Sequence, residues 1–532
     1  MLGRRLEQHD SNQLELKLAY EIDPQLKQQR YGVEAFIFLP RTLGITSYSY
    51  SSARFYEDTI AFARLKTPRV ALHALAQPGP ADRWFNEIAH PIERILAGER
   101  LDPLPLVHRL KLLACIFRSS LRDEFAEVKR RFRGVEKLTN GTRDARVAEL
   151  AATLMRLREE VDIVWRRVRD VSGLSEHPHV DDQIEEVSHA VDEFTAINVE
   201  ELATRVVELL DATLKLERTD ALTPVRHAFA ELAVSAYRFR RGRGYPSFVL
   251  PDDDNESLPY RRHVLKRIMS SVLYLDIRRA ESGVVVTNVT GMVAAGLAML
   301  FAVVVTLFMQ PLMASFSVTF IALAVLSYIL KDRIKEWGKQ RLGSFFSRWL
   351  PDKRLEVRDQ TTGEVLGECR ESVSIQDATK VEPVVRELRH MDHQGRAATD
   401  GRPETVIRYQ KQVTLSSDAL QQRLAGVDGL NDIIRFNLSH LRDRMDDPYE
   451  MHTIVDPDTH ELVHVKCARV YHVNLVMRFT KGYGKEATVE TERVRVVLDQ
   501  RGIKRIEAVA VPSSRGAVLV TSSVEAAAYD GV

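Results

Sequence analysis

Residues 284–330 read VVVTNVTGMVAAGLAMLFAVVVTLFMQPLMASFSVTFIALAVLSYIL, and this stretch decides the fold class. It belongs to a run, 282–330, without a single Asp, Glu, Lys or Arg, in a chain whose charged content is 28%. Pro311 divides the stretch into two apolar segments, 284–309 and 312–330, which as helices are about 39 and 28 Å long. Both lengths suit a hydrocarbon layer of about 30 Å, and neither segment has the polar stripe of a core helix. The sequence therefore predicts a central two-helix transmembrane hairpin.

The residues on both sides of this hairpin are rich in positive charge. They are Arg261, Arg262, Lys266, Arg267, Arg278 and Arg279 before it, and Lys331, Arg333 and Lys335 after it. Because positive loops stay inside, both flanks and both termini are predicted to be cytoplasmic, with these side chains at lipid headgroups. The chain begins Met-Leu-Gly-Arg-Arg-Leu without an apolar stretch behind it, so a cleavable secretory signal is not expected. We expect an integral protein of a bacterial-type inner membrane.

The first apolar segment contains a cluster of small residues, namely Gly291, Ala294, Ala295, Gly296 and Ala298. Small side chains let membrane helices approach closely, so this face is predicted to pack against another helix. The second segment is the nearest partner, and a second copy of the chain, giving a homo-oligomer, is the alternative. Neither segment has an ionisable residue, so a transporter with a proton or ion relay is not expected. An oligomeric pore stays open, because backbone groups and hydrophobic constrictions can also line channels.

The chain of 532 residues is too long for one hydrophobic core. Changes in composition and periodicity predict six segments. These are a small α+β unit at 1–102, a helical bundle at 103–258, a basic juxtamembrane helix at 259–283, the transmembrane hairpin at 284–330, a second basic juxtamembrane helix at 331–350 and a C-terminal cytoplasmic α+β domain with an antiparallel sheet at 351–532. The predicted fold class is therefore an α+β multidomain membrane protein.

The overall charge argues against one class of partner. The 75 Lys and Arg nearly cancel the 74 Asp and Glu, which leaves a net charge of +1. A chain without a global positive charge lacks the general attraction to nucleic acid, so no nucleic-acid partner is expected. Cys115, Cys369 and Cys467 are far apart and form no CxxC pair, so neither a disulfide framework nor a zinc site is predicted from them.

Period-two patterns predict strands near the N-terminus. Apolar Leu14, Leu16, Leu18, Tyr20 and Ile22 alternate with mostly polar residues, as in a half-buried strand, and residues 33–39 are predicted to be its partner. Ser51 or Ser52 is predicted to cap a helix that runs to about Leu65.

The C-terminal segment has the same kind of pattern. Apolar residues of one parity predict a strand region, and they are Val463, Val465, Cys467, Tyr471, Val473, Leu475, Met477 and Phe479. Further strands are predicted near 487–498 and 503–511, joined by a turn at 499–502. Apolar residues at helical spacing predict helices on one face of this sheet, and they are Leu420, Leu424, Ile433, Ile434, Leu438 and Leu441.

Heptad-like spacing predicts long helices between these regions. One seam consists of Val147, Leu150, Leu154, Leu157, Val161, Val164, Val168 and Val171. Similar stripes precede it at 110–132 and follow it at 184–210. Neighbouring stripes of similar length can satisfy one another in an intramolecular bundle, and an intermolecular coiled coil is the alternative.

One short motif bears on metal chemistry. The stretch His177-Pro-His179-Val-Asp181-Asp182 resembles the HxHxDH metal motif of metallo-β-lactamase-type hydrolases, and the resemblance implies zinc ligation by His177, His179 and Asp181. The sixth residue is Asp182 instead of His, and no strand is predicted before the motif. A proline ahead of a helix that is capped by Asp181 or Asp182 explains the same residues. No cofactor is expected.

The predicted layout and the scarcity of catalytic motifs suggest a function. The first hypothesis is a membrane-anchored cytoplasmic scaffold or signalling component that acts through protein–protein contacts. The first alternative is a membrane-tethered enzyme, metal-dependent through His177 and His179. The second alternative is an oligomeric pore or membrane-disrupting effector.

Overall fold

The computed structural model describes most of the chain. The described residues are 3–23, 25–136, 140–216, 220–249, 254–279, 282–309, 318–347, 351–360, 363–391, 404–423, 429–482, 487–510 and 519–521. Across these ranges the protein is α+β, with thirteen α-helices and three β-sheets.

Fifteen strands lie in the described ranges. They are β1 (Gly3–Gln8), β2 (Gln13–Glu21), β3 (Gln28–Leu39), β4 (Thr59–Leu65), β5 (Asp276–Arg279), β6 (Lys353–Arg358), β7 (Val365–Asp377), β8 (Thr405–Ser416), β9 (Gly429–Asn437), β10 (Tyr449–Val455), β11 (Leu462–Ala468), β12 (Tyr471–Lys481), β13 (Thr488–Asp499), β14 (Gly502–Val509) and β15 (Leu519–Thr521). The eight-stranded sheet has the order β14-β13-β12-β3-β8-β7-β6-β5, and the five-stranded sheet has the order β15-β1-β2-β9-β4. All neighbouring strands are antiparallel except β1 and β15, and β10 with β11 forms a separate hairpin.

The two larger sheets mix strands from both ends of the chain. In one sheet β3 pairs with β8 and β12, and in the other β2 pairs with β9. Inward side chains of both sheets, such as Leu18, Ile37, Ile434 and Leu475, belong to one apolar core. Residues 1–102 and 351–532 are predicted to be separate segments, whereas their strands share both sheets. Strand pairing over such distances along the chain leaves no local signal, because periodicity reports a strand but not its neighbour.

The strand predictions near the N-terminus are confirmed in part. β2 buries Leu14, Leu16, Leu18 and Tyr20, and residues 33–39 lie in β3. The predicted pairing of these two strands is wrong, because β2 pairs with β1 and β9 in one sheet and β3 pairs with β8 and β12 in the other. Ser51 caps the first helix by accepting a hydrogen bond from the Arg54 N–H. That helix ends at Asp58, and the residues up to Leu65, predicted to be helical, form β4 instead. Pairing with β9 gives these residues a ladder of hydrogen bonds, and this tertiary contact overrides the local helix signal.

The C-terminal strand predictions need two corrections. Tyr471 begins β12, whose odd residues are buried as predicted, but Val463 and its neighbours belong to the exposed strand β11. Ile433 and Ile434, predicted to be helical, lie in β9, because two adjacent apolar residues fit a strand that is covered on both faces. The turn at 499–502 is confirmed, since Asp499 pairs with Gly502 between β13 and β14.

A helical bundle is inserted between β4 and β5. Its helices are α2 (Leu72–Ala76), α3 (Arg83–Leu96), α4 (Pro103–Glu136), α5 (Asn140–Gly173), α6 (Asp182–Leu216), α7 (Thr223–Gly242) and α8 (Ser257–Ser270), after α1 (Ser52–Asp58) in the sheet domain. The predicted seam on α5 is buried along its whole length, and it meets the stripes of α4 and α6 in one core. The seam is therefore satisfied inside the chain, as an intramolecular bundle requires.

A second insertion separates β5 from β6. It contains α9 (Ser282–Met309) and α10 (Val318–Ser347), and the remaining helices are α11 (Pro383–Arg389), α12 (Ser417–Arg423) and α13 (Ser439–Arg442). β5 and β6 are antiparallel neighbours at one edge of the eight-stranded sheet. The α9–α10 pair therefore leaves this edge and returns to it.

Candidate functional site

The helix α9 has an unusual surface for a helix of a globular protein. Among the described residues, it is the one helix long and apolar enough to cross a membrane, with a window at Gly291–Phe308 of mean hydropathy 2.4 that is only 11% buried. In α10 the described apolar part covers 318–330 and then meets Lys331 and Asp332. The beginning of the predicted second span, at 312–317, lies outside the described residues. One candidate membrane helix is thus found, and the two-helix hairpin is not shown.

The small residues of α9 differ in their surroundings. Ala294 and Ala298 are buried, Gly291 and Ala295 are half-buried, and Gly296 is exposed. A Cβ atom placed on Gly338 of α10 would lie 3.3 Å from the Ala294 Cβ, so the two helices approach closely at this point. The small-residue face is thus partly covered by α10, as packing without large side chains allows.

The large apolar side chains on the rest of this helix pair are exposed. On α9 they are Met292, Val293, Leu297, Met299, Leu300, Val303, Val304, Leu307 and Phe308. On α10 they are Val318, Ile321, Val325, Leu326, Tyr328, Ile329, Leu330 and Trp337. We call these side chains the apolar sheath.

The basic residues predicted at lipid headgroups fall into two groups. Arg261 bonds Glu193 at 2.6 Å and Arg262 bonds Glu201 at 2.6 Å, so both are engaged with α6. Lys266 lines a cavity beside the same helix. The exposed members are Arg267, Arg278, Arg333 and Lys335, Lys331 lies 3.8 Å from the ring centre of Tyr328, and the Arg279 side chain lies outside the described residues.

The helix α8 uses its apolar face inside the protein. Leu265 and Met269 are buried in the bundle core and Ile268 packs against it, and Val272 and Leu273, just after the end of the helix, do the same. The apolar positions of this basic helix therefore have a protein partner, which explains why they need no lipid.

The candidate metal residues do not form a closed site. His177 and His179 are exposed with ring centres 5.1 Å apart, and Asp181 is exposed as well. The Asp181 carboxylate accepts a hydrogen bond of 2.9 Å from the Gln183 N–H, which is the capping arrangement at the start of α6. Within the described ranges no three His, Cys, Asp or Glu side chains are arranged to hold a metal ion.

A buried carboxylate lies further along α6. Asp192 is 1% exposed, and its carboxylate is 3.8 Å from the Arg243 guanidinium. Burial raises the pKa of Asp192 to about 7, while Arg243 and the Ser172 hydroxyl act in the opposite direction and Glu176 adds to the rise. The bundle therefore contains a carboxyl group that changes charge near neutral pH.

This titration predicts a pH dependence of stability. Because the folded-state pKa lies above the ordinary value of 3.8, the folded protein binds the proton more tightly, and this stabilisation is lost as the pH rises through about 7. We expect the Tm of the wild type, measured relative to the Tm of Asp192→Asn, to be lower at about pH 8 than at about pH 5. The matched control is Asp170→Asn at an exposed position of α5, where the two pH values should give the same Tm difference. A pH-independent difference for Asp192→Asn would contradict this assignment.

A second group of buried charges lies between the two large sheets. Lys411 of β8 bonds the Asp432 carboxylate of β9 at 2.7 Å and lies 3.6 Å from Glu371 of β7. The Tyr409 hydroxyl donates a hydrogen bond of 3.0 Å to Glu371. The four side chains are between 1% and 4% exposed. This group, which we call the Lys411 cluster, joins the two sheets across the core.

The electrostatics of the Lys411 cluster keep the lysine charged. Burial by itself lowers the pKa of Lys411. Asp432, Cys369 and Glu371 raise this pKa by a larger amount, so the net shift is upward. Burial also raises the pKa of the Cys369 thiol to about 12, which makes it an unreactive side chain at neutral pH. A neighbouring cavity between the sheets has a volume of about 50 Å³ and apolar walls. Since an engineered cavity that binds benzene measures about 150 Å³, this one has no room for a substrate, and the cluster is structural.

Sequence reasoning missed the Lys411 cluster, although the pattern contains a signal for it. Lys411 has the parity of the buried residues Tyr409 and Val413, and Asp432 has that of Leu430 and Ile434. A lysine on one strand and an aspartate on another, each in an otherwise apolar row, indicate a buried ion pair.

A basic groove runs along the bundle between α4, α6 and α8. It consists of two adjoining cavities, of about 240 and 210 Å³, which share Arg118, Asn198 and Glu201. Its positively charged lining residues are Arg118, Arg122, Lys129, Arg130, Arg133, Arg205, Arg262 and Lys266. The carboxylate in the lining belongs to Glu201, which bonds Arg205 at 2.5 Å and Arg262 at 2.6 Å. The near-neutral charge of the whole chain hides this local concentration.

The hairpin β10–β11 is exposed on both faces. Met451 and Leu462 lie on one face and are 61% and 71% exposed, and Ile454 lies on the other face and is 48% exposed. A two-stranded sheet by itself is marginally stable in water. The exposed apolar residues therefore make this hairpin a candidate contact surface.

Comparisons of the chain with protein-family models, with curated proteins and with solved structures find no match.

Proposed function

We propose that this protein is a cytoplasmic scaffold or signalling component that is anchored in a bacterial inner membrane by α9 and α10. The apolar sheath carries the proposal. Monomeric soluble proteins rarely expose apolar patches larger than a few hundred Å², and the window at Gly291–Phe308 alone extends about 27 Å. A hydrocarbon layer of about 30 Å would remove this surface from water.

The connections of the helix pair support a hairpin instead of two independent spans. The described apolar part of α10, 318–330, measures about 20 Å, and the uncharged sequence of the predicted second span extends back to Leu312. Since β5 and β6 are neighbouring strands, both ends of the pair return to one sheet edge and hence to one side of a bilayer. Exposed Arg267, Arg278, Arg333 and Lys335 are the flanking charges that favour the cytoplasm as that side.

The β10–β11 hairpin supports action through protein contacts, and we propose a second copy of this chain as its partner. On the face that carries Met451 and Leu462, Lys466 stands 3.9 Å from the ring centre of Tyr449 at the base of the hairpin. The tip contains Asp456, Asp458 and Glu461. If two hairpins pack face to face in opposite directions, Met451 and Leu462 of one copy contact apolar residues of the other. The acidic tip of each hairpin then lies beside Lys466 at the base of the other, as in a twofold interface.

Light scattering on the detergent-solubilised full chain tests self-association. We expect the wild type to dimerise with rising concentration, and Met451→Ser/Leu462→Ser to stay monomeric because it removes apolar area from the contact face. The matched control is Val489→Ser, at a position that is 58% exposed on β13. A wild type that is monomeric at every concentration, or a double variant that still dimerises, would contradict the proposed partner.

A further inference from the structure

The basic groove has a linear arrangement of positive charge. Arg118, Arg122, Lys129 and Arg133 follow one another on α4 at intervals of four, seven and four residues, so they lie on one face. The row is about 22 Å long. Arg205 of α6 lies on the opposite wall. A row of this length suits an elongated anionic partner better than a single small anion.

The floor of the groove is apolar. Phe125 is half-buried and Ala126 is exposed, so these two present apolar surface, while Leu121 and Leu202, which also line the groove, are buried. A floor of this kind contributes binding energy only when the partner also presents apolar side chains, at about 25 cal/mol per Å² removed from water. The groove therefore suits a segment that is acidic along its edges and apolar on one face.

The same floor argues against a nucleic acid. Binding of single strands relies on aromatic rings on which bases stack. The Phe125 ring has the Arg205 guanidinium 5.7 Å from its centre, and the Phe194 ring has that of Arg118 at 5.8 Å. Each ring therefore has a cation of the groove over it, and a base, which needs an open ring face, fits less well there than an aliphatic side chain, which can contact the exposed part of Phe125.

We propose that the basic groove binds an acidic amphipathic helix of a partner protein. The apolar face of that helix lies on Phe125 and Ala126, while its carboxylates meet the arginines on the two walls. This inference rests on the proposed scaffold function and names the class of partner that the bundle recruits.

Fluorescence anisotropy of labelled probes with the detergent-solubilised full chain tests the proposal. The probes are a Glu/Leu peptide with one apolar helical face, a Glu/Ser peptide of the same length and charge, and an oligothymidylate. We expect the Glu/Leu peptide to bind at least about tenfold more tightly than the other two, because it alone uses both floor and walls. Equal binding of the Glu/Ser peptide, or tighter binding of the oligothymidylate, would overturn the proposal.

Substitutions locate the binding. Arg122→Glu/Lys129→Glu/Arg133→Glu reverses three charges of the row and should weaken the Glu/Leu peptide at least about tenfold. The matched control, Arg146→Glu/Arg156→Glu/Arg166→Glu, changes three exposed arginines of α5 and should leave the affinity unchanged. If the triple variant fails to fold, Arg122→Gln/Arg133→Gln serves instead, with a smaller loss. Unchanged binding by a folded groove variant would overturn the proposal. Wild-type dimerisation, measured on the same samples, shows separately whether the scaffold proposal stands.

Discussion

Replacing Lys411 with methionine is expected to lower the free energy of unfolding of the sheet domain by about 3–5 kcal/mol. The substitution removes the cation that bonds Asp432 at 2.7 Å and leaves two carboxylates, Asp432 and Glu371, inside the core. Water cannot solvate these two carboxylates, since both residues are less than 5% exposed. For a domain of this size the loss corresponds to a Tm lower by about 10 °C, which differential scanning fluorimetry of the detergent-solubilised chain can measure.

A double substitution separates the ion pair from the packing of Lys411. Lys411→Met/Asp432→Leu removes both charges and replaces them with apolar side chains of similar size, so its Tm should lie above that of Lys411→Met alone. The hydrogen bond that the Tyr409 hydroxyl donates to Glu371 involves neither substituted side chain. If the single substitution changes the Tm by less than about 2 °C, or if the two substitutions are additive, the pair does not join the sheets in the way inferred.

Two arginines in the apolar sheath should have the second large effect. Leu300→Arg and Val304→Arg place charge at positions of α9 that are 61% and 41% exposed. Each arginine near the centre of a membrane helix costs about 2.5–3.5 kcal/mol on insertion scales. We expect the double variant to leave the membrane pellet after alkaline carbonate extraction, where the wild type remains in it.

Two arginines introduced at exposed apolar positions outside the helix pair are the control for the added charge. Ile60→Arg and Val489→Arg alter two side chains that are each 58% exposed on strands β4 and β13. This variant should remain in the membrane pellet, because it leaves α9 unchanged. Equal extraction of the two double variants would show that the apolar sheath does not hold the chain in lipid.

The sequence predicts a helix or strand correctly where the spacing of its apolar residues matches the face that the element buries. The seam from Val147 to Val171 is buried along α5, and the alternation from Leu14 to Tyr20 is buried along β2. Each pattern continues over several helical turns or several pairs of strand residues, so its period distinguishes a helix from a strand.

The sequence fails where the structure depends on distant pairing. The residues from Thr59 to Leu65 form a strand because β9 lies beside them, and β9 is contributed from more than half the chain away. The Lys411 cluster depends on β7, β8 and β9 meeting across two sheets. The basic groove combines α4, α6 and α8, so a charge balance computed along the chain does not reveal it. Such features require the tertiary fold and not the period of one segment.

In the proposed arrangement, lipid surrounds α9 and α10, and the rest of the chain lies on the cytoplasmic side. Arg267→Cys and Arg354→Cys are each introduced alone in a Cys467→Ser background that retains the buried Cys115 and Cys369. They place one thiol before α9 and one after α10 along the chain. In spheroplasts, a membrane-impermeant maleimide should label both positions only after the membrane is permeabilised. Labelling of either cysteine in intact spheroplasts, or recovery of the full chain in solution without detergent, would contradict this arrangement.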